Sequence, residues 1–247
     1  MVWLFGSVGG SEVIAAVATV YNEEDIIGLS IEHLLASGVD RIYVAHGLST
    51  DDTLDILRSF GEAVVLVDDP EQIHMQPQRT HELGLRAGDD GATWIIPFDA
   101  DEFIYNPAGL TIPEALATVE PENTKVVISC FGHTDWDHRH TTHRDLPKYA
   151  WRTGYDFHCV PGNHMVIMEG GEQYDVLWLR ELQFRSFEHM KRKVEERCRT
   201  LDPALGNSAG GHITRMQHMN EQELREAWDG LMSVDTIVDP IPMKVRQ

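Results

Sequence analysis

An α/β fold, a mostly parallel sheet flanked by helices and followed by a C-terminal extension, is what this sequence predicts. Three observations predict it. Short β-branched runs alternate with amphipathic stretches from Glu12 to Phe103, the rhythm of βαβ units. Glycines at 38, 61 and 88 fall at the ends of the helical stretches. The 247 residues, 42% hydrophobic and 24% charged, have an ordinary globular composition with enough apolar surface for a sizeable core.

The elements follow in order. Residues 13–20 read as the first strand, and a helix from about Glu24 places Ile27, Ile31, Leu34 and Leu35 on one face before Gly38 stops it. Residues 41–45 form the second strand. Ser49-Thr-Asp-Asp52 then opens a second helix, with the serine hydroxyl as its cap, and Gly61 closes it. Residues 63–67 are the third strand, 68–77 a polar loop, 78–87 a third helix and 93–98 the fourth strand.

After Phe103 the rhythm changes. Residues 126–130 read as a buried strand, and 133–145, dense in His, Asp and Arg, as a loop. Short extended segments at 149–151, 157–160, 165–168 and 176–179 precede an amphipathic helix from Ser186 to about Leu201, stopped by Pro203. Residues 207–211 read as flexible and 221–232 as a last acidic helix. The chemistry divides into a nucleotide-sugar-binding half, 1–105, and an acceptor-side half, 106–247.

A formal net charge of −20, from 20 Lys+Arg against 40 Asp+Glu, disfavours nucleic acid and acidic membranes as partners. A basic helix face of Lys191, Arg192, Lys193, Arg197 and Arg199 is the local exception. Cys130, Cys159 and Cys198 are too few and too scattered for a disulfide framework or a zinc knuckle, which fits a reducing cytoplasm. The N-terminal stretch lacks a basic leader and the ~20 apolar residues of a span, so neither signal peptide nor membrane anchor is expected.

Asp99 and Asp101 lie just beyond the fourth strand, at the end of a parallel sheet where ligands gather. Carboxylates one residue apart in a turn can converge on a hard cation, Mn²⁺ or Mg²⁺, that bridges diphosphate oxygens. An acidic turn alone is a common feature of so negative a chain; its position after four strands is what singles it out. A zinc site of His138, His140 and His143 is not expected, since these lack the helical i,i+4 spacing and sit in a loop.

Thr19-Val-Tyr-Asn-Glu-Glu24, Ser49-Thr-Asp-Asp-Thr53 and Phe98-Asp-Ala-Asp-Glu-Phe103 resemble, in order and spacing, three motifs of family-2-like glycosyltransferases. The likeness extends to Gln76-Pro-Gln-Arg79 through Gly84, to Gly162-Asn-His164, and to Phe184-Arg-Ser-Phe-Glu188 with Lys193. It implies a GT-A fold, Rossmann-like, that moves a sugar from a nucleoside diphosphate sugar to an acceptor hydroxyl with a divalent metal. The implied metal set is Asp99, Asp101 and His164. The implied donor-binding set is Thr19, Tyr21, Asn22, Glu23, His46, Asp51, Asp68 (or Asp69), Arg79 and Asp99.

The residues' own chemistry leaves alternatives beside several of these. Asn22 and Glu23 would stand by exposed amides at a helix start, suited to an anion, or Asn22 would merely cap that helix. Arg79 would face the diphosphate or lie on a helix surface. His164 would complete a Mn²⁺ shell or hydrogen-bond in a strand. His46 stands where the family has a base-reading Asp, which leaves the base open; Glu181 stands where the family often has a His, whose role is then lost or moved. An inverting transferase needs a carboxylate base; Asp135 or Asp137 is favoured by position, with Asp156 a further candidate and Glu102 as support.

Sugar transfer to a glycan acceptor accounts for more of these residues than its rivals, with protein or a hydroxylated nucleic-acid base behind it as acceptor. Nucleotidyl transfer would show a Gly-rich basic signature after the first strand. A non-catalytic nucleotide or carbohydrate binder is the third reading.

Overall fold

The computed structural model describes residues 12–47, 49–69, 76–160, 164–200 and 215–242, with the side chains of 197–200 excepted. Expectations placed on Gly162, Asn163, Pro203, residues 207–211 and the Arg197 and Arg199 side chains lie outside the described residues.

The strands β1 (Ile14–Val20), β2 (Arg41–His46), β3 (Val64–Asp68) and β4 (Trp94–Pro97) pair in parallel in the order β3-β2-β1-β4. The sheet continues through β8 (Lys148–Arg152), β6 (Asn123–Gly132), β11 (Gly171–Glu181) and β5 (Glu102–Tyr105), giving eight strands in one surface. The strand β8 runs antiparallel to both β4 and β6, and β5 antiparallel to β11, while β6 and β11 are parallel. The expected donor and acceptor halves therefore share a single continuous sheet.

Every residue of β1 but Thr19 is buried, as a central strand covered on both faces must be. Its alternation feeds two cores. Ile14, Ala16, Ala18 and Val20 join Ile27, Ile31 and Leu34 of α1 (Ile27–Ala36) and Leu57 of α2 (Thr53–Ser59). Ala15 and Val17 face Leu83 and Ala87 of α3 (Gln76–Asp89), with Trp151 and Phe157. Gly38, at φ +96°, ends α1 in the left-handed region expected of its terminal glycine.

Several boundaries and one region differ from expectation. α1 starts at Ile27 rather than near Glu24, and α2 at Thr53. Ser49 does not cap α2; its hydroxyl accepts from the Asn22 amide at 3.0 Å instead. Within residues 133–145, read as a loop, β7 (His138–His140) pairs antiparallel with β12 (Thr236–Val238). A short helix α4 (Ile112–Leu116), opened by a Thr111–Glu114 capping box, was not expected.

The helix α5 (Phe187–Thr200) packs on α6 (Glu221–Met232) through Phe187, Met190 and Leu224. The remaining strands, β9 (Phe157–Cys159) and β10 (Val166–Met168), form a small antiparallel ribbon. Among the described residues no helix is long and apolar enough to cross a membrane.

Candidate active site

The carboxyl ends of β1 to β4 open on one edge, and the three motifs meet there. The loop after β1 is laced to the loop after β2. The amides of Asn22, Glu23 and Glu24 donate to Ser49 Oγ (3.0 Å), Thr53 Oγ1 (2.9 Å) and Asp51 Oδ2 (3.2 Å). In return the Thr50 amide donates to Asn22 Oδ1 (2.8 Å) and the Asp52 amide to Glu24 Oε2 (2.9 Å). Asn22 holds φ +52°, a left-handed conformation that these bonds maintain.

This lacing corrects one reading: the amides at 22 and 23 are already satisfied and are not waiting for an anion. Asp51 joins the two loops, its carboxylate accepting from the Glu24 and Thr53 amides.

The acidic turn is held from every side. Ser30 of α1 donates to the Ala100 carbonyl, and the Asp101 carbonyl accepts the Leu182 amide at 2.9 Å. The Asp99 amide donates to Glu102 Oε2 at 2.8 Å, and Gln76, the first residue of α3, donates to Asp99 Oδ1 at 3.0 Å. Each motif carboxylate then meets a lysine. Lys148 Nζ lies 2.8 Å from Asp99 Oδ2 and 2.8 Å from Glu102 Oε2. Lys193 Nζ lies 2.7 Å from Asp101 Oδ2 and 3.1 Å from Glu23 Oε1.

The network extends outward. Arg185 donates to Glu23 Oε2 at 2.9 Å and takes both oxygens of Asp25. At the other side Arg144 is paired with Glu181, the last residue of β11, which lies in register with Glu102.

Burial pushes Glu102, Glu181 and Glu23 above the usual carboxylate range, against the pull of Lys148, Arg144 and Lys193 respectively. Burial opposes charge at Asp101 too, but Lys193, Arg185 and Lys148 outweigh it and hold that carboxyl low. Both lysines are raised: burial would lower them, and Asp99 with Glu102, or Asp101 with Glu23, reverses it. The result is a lattice of alternating acidic and basic side chains around the turn, in which Lys193 and Lys148 each bridge two carboxylates.

The other expected residues are distributed around this edge. Thr19 Oγ1 and His46 Nε2, at the ends of β1 and β2, are buried with no hydrogen-bond partner. His46 is in register with Asp68 at the end of β3. Tyr21 is exposed beside them. Arg79 is bonded to Asp69 at 2.6 Å, so its guanidinium is aimed at the end of β3 rather than outward from the helix. His164 is tied to the Pro147 carbonyl at 3.2 Å, next to Lys148, and burial, with Lys148 behind it, holds its pKa down.

Asp99, Asp101 and His164 do not converge as one metal shell here, because each aspartate faces its own lysine. Among the described residues the metal-capable atoms that lie within 4.8 Å of one another are those of Glu23, Asp25 and His189. Arg185 already bridges those two carboxylates.

Asp135 Oδ1 accepts the amides of Asp137 (2.8 Å) and His138 (2.9 Å) and lies 2.9 Å from the His138 ring nitrogen, so its carboxylate folds its own turn. Asp137 and Asp156 are exposed. Glu102, by contrast, is part of the acidic turn. Lys148 and Arg144 were not singled out from the sequence, and Glu181 only as the residue standing where the family often has a His; the signal for Lys148 was a lysine opening a short strand with Tyr149, Ala150 and Trp151 behind it.

The family model for glycosyl transferase family 2 matches residues 16–180, more than half of the chain. No curated protein matches significantly. Among solved structures, S. aureus TarS is 14% identical, with 85% of this chain and 44% of that chain covered and a TM-score of 0.49. Glucosyl-3-phosphoglycerate synthase from Mycobacterium tuberculosis, solved with Mn²⁺, uridine diphosphate and phosphoglyceric acid, is 20% identical over 49% of this chain and 43% of that one (TM-score 0.32). Mannosyl-3-phosphoglycerate synthase from Rubrobacter xylanophilus is 18% identical over 48% and 40% (TM-score 0.37). The chain thus spans less than half the length of the TarS structure. Its mixed sheet with helices on both faces is the GT-A arrangement that the motifs implied. On the family match over residues 16–180, the chain is a member of glycosyl transferase family 2.

Proposed function

We propose that this protein transfers a sugar from a nucleoside diphosphate sugar to a hydroxyl of a glycan acceptor, with inversion and with a divalent metal. The observation that carries the reading is the acidic turn at the carboxyl edge of the sheet, where both motif carboxylates already hold cations. Lys193 on Asp101 and Lys148 on Asp99 are stand-ins of the right charge, and the oxygen-only donor set suits Mn²⁺ or Mg²⁺. Asp101 and Asp99 would hold the metal, with His164 nearby. When bound, the metal would neutralise charge developing on the departing diphosphate.

The chain's own residues supply the rest. Thr19 Oγ1 and His46 Nε2 offer unpartnered polar atoms to the nucleoside, and Lys148 and Lys193 offer charge to the diphosphate. Glu181 is the base this geometry favours. Its contacts with Arg144 and Cys130 both fall on Oε2, and burial raises its proton affinity. As the acceptor oxygen bonds to the anomeric carbon and the carbon–diphosphate bond breaks, the hydroxyl proton passes to Glu181. The free thiols of Cys130 and Cys159 agree with work in the cytoplasm.

The test is donor hydrolysis and transfer, assayed with Mn²⁺ over a panel of nucleoside diphosphate sugars. Asp101→Asn should abolish the metal-dependent rate, and Glu181→Gln should lower kcat by about 10²–10⁴. Undiminished turnover in Asp101→Asn would end the metal assignment, and in Glu181→Gln the base assignment.

A further inference from the structure

Lys193 lies beyond residue 180, where the family match ends, on a helix laid across the carboxyl edge of the sheet. Its ammonium stands 2.7 Å from Asp101 Oδ2 and 3.1 Å from Glu23 Oε1, joining the acidic turn to the loop after β1. All three side chains are largely shielded, at 17%, 9% and 14% exposure, so water screens the contacts poorly. Arg185 covers the other oxygen of Glu23. The ammonium therefore serves two carboxylates, and Asp101 has its negative charge matched before any ligand arrives.

A divalent cation approaching Asp101 Oδ2 meets that ammonium in its place. Two cations cannot share one carboxylate oxygen at such distances without strong repulsion, so the lysine must move off as the metal moves on. Leaving Asp101 would keep the ammonium with Glu23 alone, a carboxylate that Arg185 already neutralises from its other oxygen, so the buried charge is fully matched only where a further anion receives it. A diphosphate brought to the same edge is such an anion.

We propose that Lys193 is an internal counter-ion that competes with the metal for Asp101 and hands the carboxylate over when a diphosphate accepts its ammonium. Metal and nucleotide then bind as a linked pair, each raising the other's affinity through the same side chain. This rests on the metal-dependent reading above. Lys193 acts here as a positioning residue; it need not touch the reacting atoms.

The test reads Mn²⁺ binding directly, from the electron paramagnetic resonance signal of free Mn²⁺, with no turnover involved. Mn²⁺ alone is titrated into the wild type and Lys193→Met, then again with saturating uridine or adenosine diphosphate, corrected for Mn²⁺ held by the free nucleotide. Lys193→Met should bind Mn²⁺ alone at least about tenfold more tightly than the wild type, equivalent to ~1.4 kcal/mol. The enhancement by nucleoside diphosphate should shrink correspondingly. Adding Asp101→Asn should remove the gain.

Where Lys193→Met fails to fold, the same comparison is made between Glu23→Gln and Glu23→Gln/Lys193→Met, the second having lost one charge of each sign. Equal Mn²⁺ affinity with and without Lys193, still abolished by Asp101→Asn, overturns the competition and leaves the metal site standing. No Mn²⁺ binding in any variant, nucleotide present or absent, overturns both. An undiminished nucleotide enhancement in Lys193→Met overturns the linkage.

Discussion

Replacing Lys148 by methionine keeps the length of the side chain and removes its charge. Lys148 and Glu102 are each 3% exposed, while Asp99 is 40% exposed. The Lys148–Glu102 contact therefore behaves as a buried ion pair, and taking one partner from such a pair costs about 3–5 kcal/mol. The share owed to Asp99 is discounted to under ~1 kcal/mol, because solvent reaches that carboxylate. Against a total stability of about 5–15 kcal/mol, the loss is large but survivable.

Its pH dependence has a definite sign. Burial already places the Glu102 carboxyl above its unfolded value, so the folded protein binds the extra proton and loses stability as pH rises through the folded pKa. Without Lys148 that carboxyl rises further. The variant should approach the wild type near pH 4.5 and fall away toward pH 8. Urea denaturation followed by tryptophan fluorescence at pH 5 and pH 8 reads this. At a slope of about 2 kcal/mol per molar, the midpoint at pH 8 should drop by roughly 2 M. A deficit below ~1 kcal/mol at pH 8, or an equal deficit at both pH values, would refute the buried-pair account.

Three further outcomes are expected. Gly84 of α3 lies where an added Cβ would come within 3.0 Å of both Trp151 and Phe157 rings, so Gly84→Ala should destabilise by about 1–3 kcal/mol, read as a lowered thermal midpoint; an unchanged midpoint would mean that the rings give way freely. Asp135→Ala should lose about 1 kcal/mol from its turn while kcat stays within about threefold; a thousandfold fall in kcat would restore it as base. His133 is held near pKa 4 by burial, its bond to the Asp135 carbonyl only partly offsetting this, so the unfolded chain takes the proton first and stability falls as pH drops from about 6.5 toward 4. His133→Gln should flatten that part of the denaturation–pH curve.

Much of the donor side was legible because it is local. Four strands and three helices follow one another with short connections, and periodicity with terminal glycines marks each. The acidic turn was legible because it ends such a strand. What escaped comes from distance along the chain. Lys148 reaches Asp99 because β8 inserts antiparallel between β4 and β6, and no local pattern says which strand will fill that place. The ribbon of residues 138–140 with 236–238 joins segments whose own composition reads as a loop and a tail. The amides after β1 were misread for a related reason: their partners, Ser49, Asp51 and Thr53, sit on another loop, where they resemble an ordinary helix start.

That lacing carries a consequence for how the protein can change. Because three amides of one loop end on three side chains of the other, neither loop can drift alone: a substitution at Ser49, Asp51 or Thr53 orphans a donor some thirty residues earlier. In a double-mutant cycle Asn22 with Thr50, whose side-chain amide and hydroxyl also meet at 3.3 Å, should depart from additivity by about 0.5 kcal/mol or more. Among descendants of this chain the two loops should be inherited as one unit, with changes arriving in matched pairs, so a new nucleotide preference would enter through free-standing positions such as His46 sooner than through the loops.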